Sequence, residues 1–491
     1  MSLRLFLSVL GLCSQLLAAP AMAAEPQGLP PDVEQAMQRE RVPLHTLSVL
    51  IQEAGSGNPR LSLNAQVPVN PASLIKLLTT YAALDQLGPA FTWKTPVWLT
   101  GRLQAGVLEG NVHIQGRGDP KLSLERVWSL VQRLRQMGVT EIRGDVVLYQ
   151  SAFLLPEAST SDFDNEPLRP YNVRSQALLL NQHAVIYTFT PDAARGVAAV
   201  SAEPALQGLQ VDASVPLSTG PCNDWRAALK ASAGDAERMR FTGSYPAACG
   251  ERVWPLAYPD PRSYAARLWG ALWRDAGGRL SGSVREGPAP EGVPPSLELT
   301  SPSLSEVVRD INKFSNNVMA QQLLLTLALQ RPGAVRATPE AGREVLRQWL
   351  SQRQGESPES LQGVIIDNGS GLSRETRVSA ALLARLLQSA WSSPVMPELM
   401  ASLPVTGLDG TLRRAQSSAG MAHLKTGSLR DVTGVAGYVL GTSGKRYVLV
   451  AVINHPHANA AKAALDALVQ WTIDDAPRSR RPAEPTRRTA Q

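Results

Sequence analysis

Apolar and polar positions along the chain fall into several distinct textures. Arg4 opens onto a nearly unbroken apolar run, "LFLSVLGLCSQLLAAPAMA", ending in Ala21-Met22-Ala23. From about Glu34 to Gly88 the spacing predicts a short helix and a strand in "TLSVLIQEAG". A turn region and an amphipathic helix in "NPASLIKLLTTYAALDQLG" follow. Leu74, Leu77, Leu78 and Leu84 are available for a core, and Gly88-Pro89 stops that helix. From about Phe91 to Glu298 the chain reads as short β-branched runs between Gly turns, such as "TPVWLTG", "EIRGDVVLY" and "HAVIYTFTP", with one helix, "LERVWSLVQRLRQMG". A long helical stretch, "SPSLSEVVRDINKFSNNVMAQQLLLTLALQ", then opens a helix-rich region to about Glu398. The strands "AHLKTGSL", "TGVAGYVLG" and "RYVLVAVIN" follow, and the helix "ANAAKAALDALVQW" closes on their sheet.

The simplest architecture is an α/β, multidomain α+β arrangement. Residues 24–90 and 298–475 form one domain from both ends of the chain, an antiparallel sheet with helices, and residues 91–297 form a β-rich insertion. The N-terminal run, residues 1–23, has the basic start, apolar centre and A-x-A end of a secretory signal peptide cut after Ala23. Cys13 is a poor lipidation site, because Leu12 is too large and the apolar run continues beyond it.

Composition is globular, with 44% apolar and 18% charged residues in 491. The +6 net charge is concentrated at the ends. The tail 476–491 carries five arginines and one glutamate and reads as disordered, and with Arg4 also removed the body holds only +1. No nucleic-acid surface is expected, and tail contact with anionic envelope polymers stands against a plain solvated tail. Cys222 and Cys249, the two cysteines left after the signal, suggest one disulfide in an oxidising compartment, against the alternative of two buried thiols.

The six histidines form no H-E-x-x-H pair, and no G-x-S-x-G elbow occurs, so metal and Ser-His-Asp chemistry are poorly supported and no metal or cofactor is expected. Lysine is more informative, with eight residues against forty arginines. Only Lys76 has a serine three positions before it, Ser73, and only Lys425 begins a K-T-G triplet, Lys425-Thr426-Gly427. Between them stands the S-x-N triplet Ser315-Asn316-Asn317. Each motif alone is weak, but three in this order and setting are strong. Ser73 at a helix start lies near free N–H groups and the positive dipole end. It needs a base, and Lys76 is in reach on the same face. Burial and the second cation Lys425 would lower the Lys76 pKa enough for that task. Lys425 to Leu429 reads as an edge strand, where Gly427 allows close approach and a substrate could add as a further strand.

These motifs resemble the penicillin-binding protein and serine β-lactamase superfamily. The long gap from Ser73 to Ser315 is similar to the low-molecular-weight class C group, D-alanyl-D-alanine carboxypeptidase/endopeptidases, as are "GRGDP", "EPLRPYN", "DNGSGLSR" and "TGLDGTL". The resemblance implies a transpeptidase-like domain carrying two nested inserted domains, a periplasmic location, and peptidoglycan stem peptides as substrate. β-Lactam antibiotics would be covalent inhibitors. It further implies Ser73 as nucleophile, Lys76 as base, Ser315 as proton relay and Asn317 as ligand of the acyl peptide's amide. Lys425 and Thr426 would bind the terminal carboxylate, the backbone N–H groups of Ser73 and Ser428 would form the oxyanion hole, and Arg374 would line the stem-peptide pocket. Two departures are Tyr149, where the family often has an aspartate, and Arg430 at the pocket rim. A β-lactamase is the first alternative, since Glu166 has a class A-like spacing from Ser73, although Ser315 falls on the wrong side of it. A catalytically dead wall-binding scaffold is the second. The balance of carboxypeptidase, endopeptidase and transpeptidase, and the oligomeric state, stay open.

Overall fold

The computed structural model describes residues 28–475 except Ala236, Arg353, Gln416 and Ser417; the signal-peptide and basic-tail readings lie outside these residues. Its organising element is a five-stranded antiparallel sheet made from both ends of the chain. The order is Pro59–Leu63, Leu47–Glu53, Arg446–Asn454, Val432–Leu440, Ala422–Leu429, so the K-T-G strand is an edge. The strands read as continuous apolar runs because both sheet faces are covered. In Arg446–Asn454, Val448, Val450 and Val452 face one core. Leu449, Ala451 and Ile453 face the other, against the helices Pro31–Arg39 and Lys462–Ile473.

The first core is filled by helices Lys76–Leu87, Leu304–Phe314, Asn317–Leu329, Pro339–Gln352 and Ala380–Trp391. Lys76–Leu87 is buried from Lys76 through Leu84, so it runs through the interior and not along the surface. Gly88 at φ 79° ends it, as the Gly-Pro pair predicts. The long helical stretch expected after Ser301 is two helices. Ser315 adopts a left-handed φ of 56°, and the Asn316 side chain caps the next helix by accepting from the Met319 N–H at 2.9 Å. The break falls on the S-x-N triplet, where Ser315 is the C-cap, its N–H still donating to the Ile311 carbonyl as the chain turns away.

A separate core draws only on residues from Val97 to Leu299. One of its five-stranded sheets joins Lys94–Leu99, Val112–Gln115 and Val146–Tyr149 with the late strands Val284–Glu286 and Leu297–Thr300. A second, from Ala184 to Ala257, falls between these halves in sequence. Leu297–Thr300 pairs with Lys94–Leu99, so the boundary expected at 297/298 cuts a strand. The crossings lie at Trp93 and Ser301, where the Ser301 N–H donates to the Trp93 carbonyl at 3.0 Å and the Ser301 hydroxyl accepts from the Trp93 N–H at 2.9 Å. A second long helix, Pro261–Asp275, stands where only one was read. Asp260 caps it, Pro261 opens it, and Tyr264, Leu268, Trp269 and Trp273 are buried. Cys222 and Cys249 form a disulfide.

Leu134→Ala and Leu323→Ala each remove a fully buried side chain, from different cores. Each is expected to cost about 2–5 kcal/mol. Pulse proteolysis in urea with mass mapping should show early cleavage confined to residues 94–300 for the first and to the remainder for the second.

Candidate active site

Ser73 sits in a short turn, Ala72–Ile75, immediately before the helix that begins at Lys76. Ala72 holds a left-handed φ of 46°, a strained conformation for a residue with a Cβ. Its N–H donates to Asn70 Oδ1 at 2.9 Å, and Asn70 is in turn clamped to Asn454 by two bonds of 2.9 Å. Asn70 Nδ2 donates to the Ser373 carbonyl at 3.0 Å. The nucleophile turn is thereby tied to the end of the central strand and to the Asp367–Arg374 loop. In that loop Gly371, at φ 80°, lies so close that a Cβ would stand 2.9 Å from the Ser73 nitrogen and closer still to the Ala72 carbonyl.

Lys76 is completely buried. Its Nζ lies 3.0 Å from Ser73 Oγ and 2.6 Å from Asn317 Oδ1, and it also donates to the Ser370 carbonyl. Burial first, and the nearby Lys425 cation second, hold its pKa well below the ordinary lysine value. Lys425, also fully buried, reaches Ser315 Oγ at 3.0 Å and the Thr426 carbonyl at 2.7 Å, and burial lowers its pKa to about 7. Ser73, Lys76, Ser315, Asn317 and Lys425, spread over 353 positions of sequence, thus form one cluster of neutral acceptors around two amines. Among the described residues, no carboxylate hydrogen-bonds either amine.

The strand beside the cluster is held from both ends. Thr426 Oγ1 is 2.8 Å from Thr411 Oγ1, in the "TGLDGTL" loop that Asp409 anchors by an ion pair of 2.6 Å to buried Lys313. The Ser428 hydroxyl bonds Asn459 Oδ1 at 3.0 Å. Gly427 proves necessary for a different neighbour from the one expected. A Cβ there would stand 2.7 Å from the Pro71 carbonyl and 3.1 Å from Leu74, so the glycine admits the nucleophile turn itself. Arg374 lines a cavity of about 370 Å³ and lies over the Phe163 ring at 5.0 Å. Tyr149 is not on that cavity; it lines another cleft with Gln115 and Arg117. Glu166 is exposed and pairs with Arg169 at 3.3 Å, outside the cluster. Asn70, Ser370, Thr411 and Asn459 were not singled out from sequence. Ser370 and Thr411 lay within motifs already noted, but Ser370 contributes a backbone carbonyl, which no residue type announces.

A half-buried serine facing a buried amine of lowered pKa, beside a second lysine on a sheet edge, defines a serine acyltransferase of the penicillin-binding class. The chain belongs to the D-Ala-D-Ala carboxypeptidase 3 (S13) family, which matches residues 29–474. It is a low-molecular-weight class C penicillin-binding protein and a serine-type D-Ala-D-Ala peptidase. A D-alanyl-D-alanine carboxypeptidase of Actinomadura sp. is 27% identical over 476 residues, covering 91% of this chain and 85% of that one. D-alanyl-D-alanine carboxypeptidase DacB of Haemophilus influenzae is 25% identical over 391 residues, covering 78% of this chain and 80% of that one. The crystal structure of penicillin binding protein 4 from H. influenzae superposes with a TM-score of 0.73 at 21% identity, covering 90% of this chain and 99% of that one.

Two outcomes are expected. If Lys76 is the base expected from its motif, it must be neutral to accept the Ser73 proton, and acylation should rise with pH through the Lys76 pKa. If Lys425 holds the carboxylate as expected, it must be charged to do so, and carboxylate binding should fall above about 7 in the free enzyme. Lys425→Gln removes the repelling cation, so the acid limb of benzylpenicillin acylation should move to higher pH, as stopped-flow profiles of both proteins would show. Gly427→Ala should slow acylation about a hundredfold by displacing the strand from Ser73. Because the new Cβ meets the Pro71 backbone carbonyl, the melting temperature should fall as well, with circular dichroism showing the fold retained.

Proposed function

We propose that the chain hydrolyses the D-Ala-D-Ala bond of peptidoglycan stem peptides and the D-Ala–diaminopimelate bond of cross-links, in the periplasm after signal-peptide removal. The observation that carries this reading is Lys76 Nζ, buried between Ser73 Oγ and Asn317 Oδ1 with Lys425 beside it. Neutral Lys76 takes the Ser73 proton as Oγ attacks the carbonyl carbon. The backbone N–H groups of Ser73 and Ser428 receive the oxyanion. Ser315, held by Lys425, passes a proton to the leaving amine as the C–N bond breaks and regains one from the Lys76 ammonium, which returns Lys76 to its neutral form. Water then attacks the Ser73 ester, Lys76 again accepting a proton and returning it to Ser73 Oγ as the ester C–O bond breaks, and the shortened peptide leaves as its acid.

In this reading Asn317 orients the acyl peptide's amide, Lys425 and Thr426 hold the terminal carboxylate, and Arg374 lines the stem pocket. Residues 94–300 act as two nested inserted domains. A β-lactam mimics the scissile amide and acylates Ser73. A neighbouring crystal structure holds H. influenzae penicillin binding protein 4 complexed with a β-lactam, on a fold that this chain shares.

A fluorescent penicillin should label the wild-type protein stoichiometrically and Ser73→Ala not at all. Mass analysis should show release of D-Ala from monomeric pentapeptide muropeptides. Absence of label on folded wild-type protein would overturn the reading in favour of a scaffold, and rapid penicillin turnover would favour a β-lactamase.

A further inference from the structure

Beyond the catalytic cluster, the Ser315–Asn317 turn forms one wall of a groove of about 530 Å³ whose opposite wall comes from the inserted region. Phe314, immediately before Ser315, is 63% exposed at its edge, and Tyr171 is 38% exposed. Trp254 and Arg226 face them from the nested part of the insertion, and Arg169 stands at the rim beside Tyr171. Trp254 is seated edge-on against Trp225 at 5.6 Å. Arg226 lies 5.0 Å over the Trp225 ring and donates to the Val253 carbonyl at 3.3 Å, which fixes it beside that aromatic surface.

The floor is held under strain. Asn181, Gln182 and His183 take three successive left-handed φ values of 47°, 47° and 49°. The Gln182 side chain accepts from Asn316 Nδ2 at 3.0 Å. Strain of this kind persists only where its surroundings enforce it. Here it brings the insertion against the middle residue of the catalytic triplet. Among the described residues, no acidic side chain lines the groove, although two carboxylates touch its rim from outside. Glu166 pairs with Arg169 at 3.3 Å and Asp164 accepts from the Tyr171 hydroxyl at 2.9 Å, which leaves Arg226 as the groove arginine with no ion pair to a carboxylate among the described residues.

We propose that this groove is a leaving-strand subsite, binding the second stem peptide of a cross-link through its free carboxylates and apolar side chains. The inference rests on the peptidase reading above and specifies its substrate. Ser315 belongs both to the groove and, through Lys425 at 3.0 Å, to the cluster that holds the leaving residue. A chain continuing from that residue therefore meets the groove directly. A free D-Ala ends before it. Two arginines without a lining carboxylate suit a peptide bearing negative charge, and exposed aromatic faces beside them suit its apolar portions.

The test compares three substrates: a monomeric pentapeptide muropeptide, a cross-linked disaccharide-peptide dimer, and that dimer after removal of its sugars. Arg226→Glu and Arg169→Glu should each lower kcat/KM for both dimers at least tenfold. Release of D-Ala, benzylpenicillin acylation and the melting curve should stay unchanged, and Arg226→Lys should restore much of the loss. Equal loss on monomer and dimer, or no loss on either, would overturn the subsite. Loss confined to the sugar-bearing dimer would assign the groove to glycan and also overturn it. Wild-type protein that releases D-Ala but leaves the dimer intact would overturn the subsite and the cross-link half of the proposed function, while the carboxypeptidase half stands. Failure of penicillin to label the wild type would instead strike the peptidase reading.

Discussion

Two lysine amines are taken entirely out of water with no carboxylate among the described residues to hydrogen-bond either, and the rest of the site follows from that. Burying a cation is costly unless acceptors replace its hydration shell. The acceptors here are neutral and come from separate segments: Ser73 Oγ, Asn317 Oδ1 and the Ser370 carbonyl for Lys76, Ser315 Oγ and the Thr426 carbonyl for Lys425. They orient the amines without cancelling their charge, so the desolvation remains as a lowered pKa. Lys313 shows the alternative in the same molecule, since it is also buried but ends on the Asp409 carboxylate and anchors a loop. The same accounting fixes the sign of the pH effect on stability. Both buried amines hold protons less tightly folded than unfolded, so their burial opposes folding least above the ordinary lysine value of 10.5 and increasingly as pH falls below it, for Lys425 down to about 7.

Holding neutral acceptors around buried amines demands tight backbone approach, and unusual conformations gather there accordingly. Ala72 and Ser315 are left-handed despite carrying a Cβ, while Gly371 and Gly427 lie where a side chain would meet the nucleophile turn. Such conformations last only if the scaffold is rigid. The sheet provides this, covered on both faces, and Asn70–Asn454 rivets the turn to it.

The same physics decides what the sequence could reveal. Lysine scarcity made Lys76 and Lys425 conspicuous, and their functions depend on side-chain type, so the motifs found them. Continuous apolar strands and the Gly-Pro stop were legible because burial and backbone geometry leave direct marks in composition. The Ser370 carbonyl leaves none. The break at Ser315 is hidden because its cap residues lie in a stretch whose helical spacing of apolar positions reads as unbroken. Helix Pro261–Asp275 was overlooked amid strand-like texture, although Asp260, Pro261 and the spacing of Tyr264, Leu268 and Trp269 mark it. The strand Leu297–Thr300 pairs with residues about 200 positions earlier, a non-local choice that local pattern does not encode.

How the insertion meets the catalytic core also follows from charge. Much of the contact is neutral: Gln182 accepts from Asn316. Buried Gln322 exchanges bonds with Gln176, accepting at 3.1 Å and donating at 2.9 Å. His183, which supports the strained segment, has its pKa pushed down to about 4 by burial and is neutral near physiological pH. An ion pair at the contact, Lys121–Asp310 at 2.7 Å, is partly exposed. A contact made this way keeps its geometry across the pH range in which Lys425 changes charge. Titration can therefore govern the chemistry at Ser73 while the surface beside Ser315 stays in place, which is the condition for a substrate to be positioned by one region and cleaved by another.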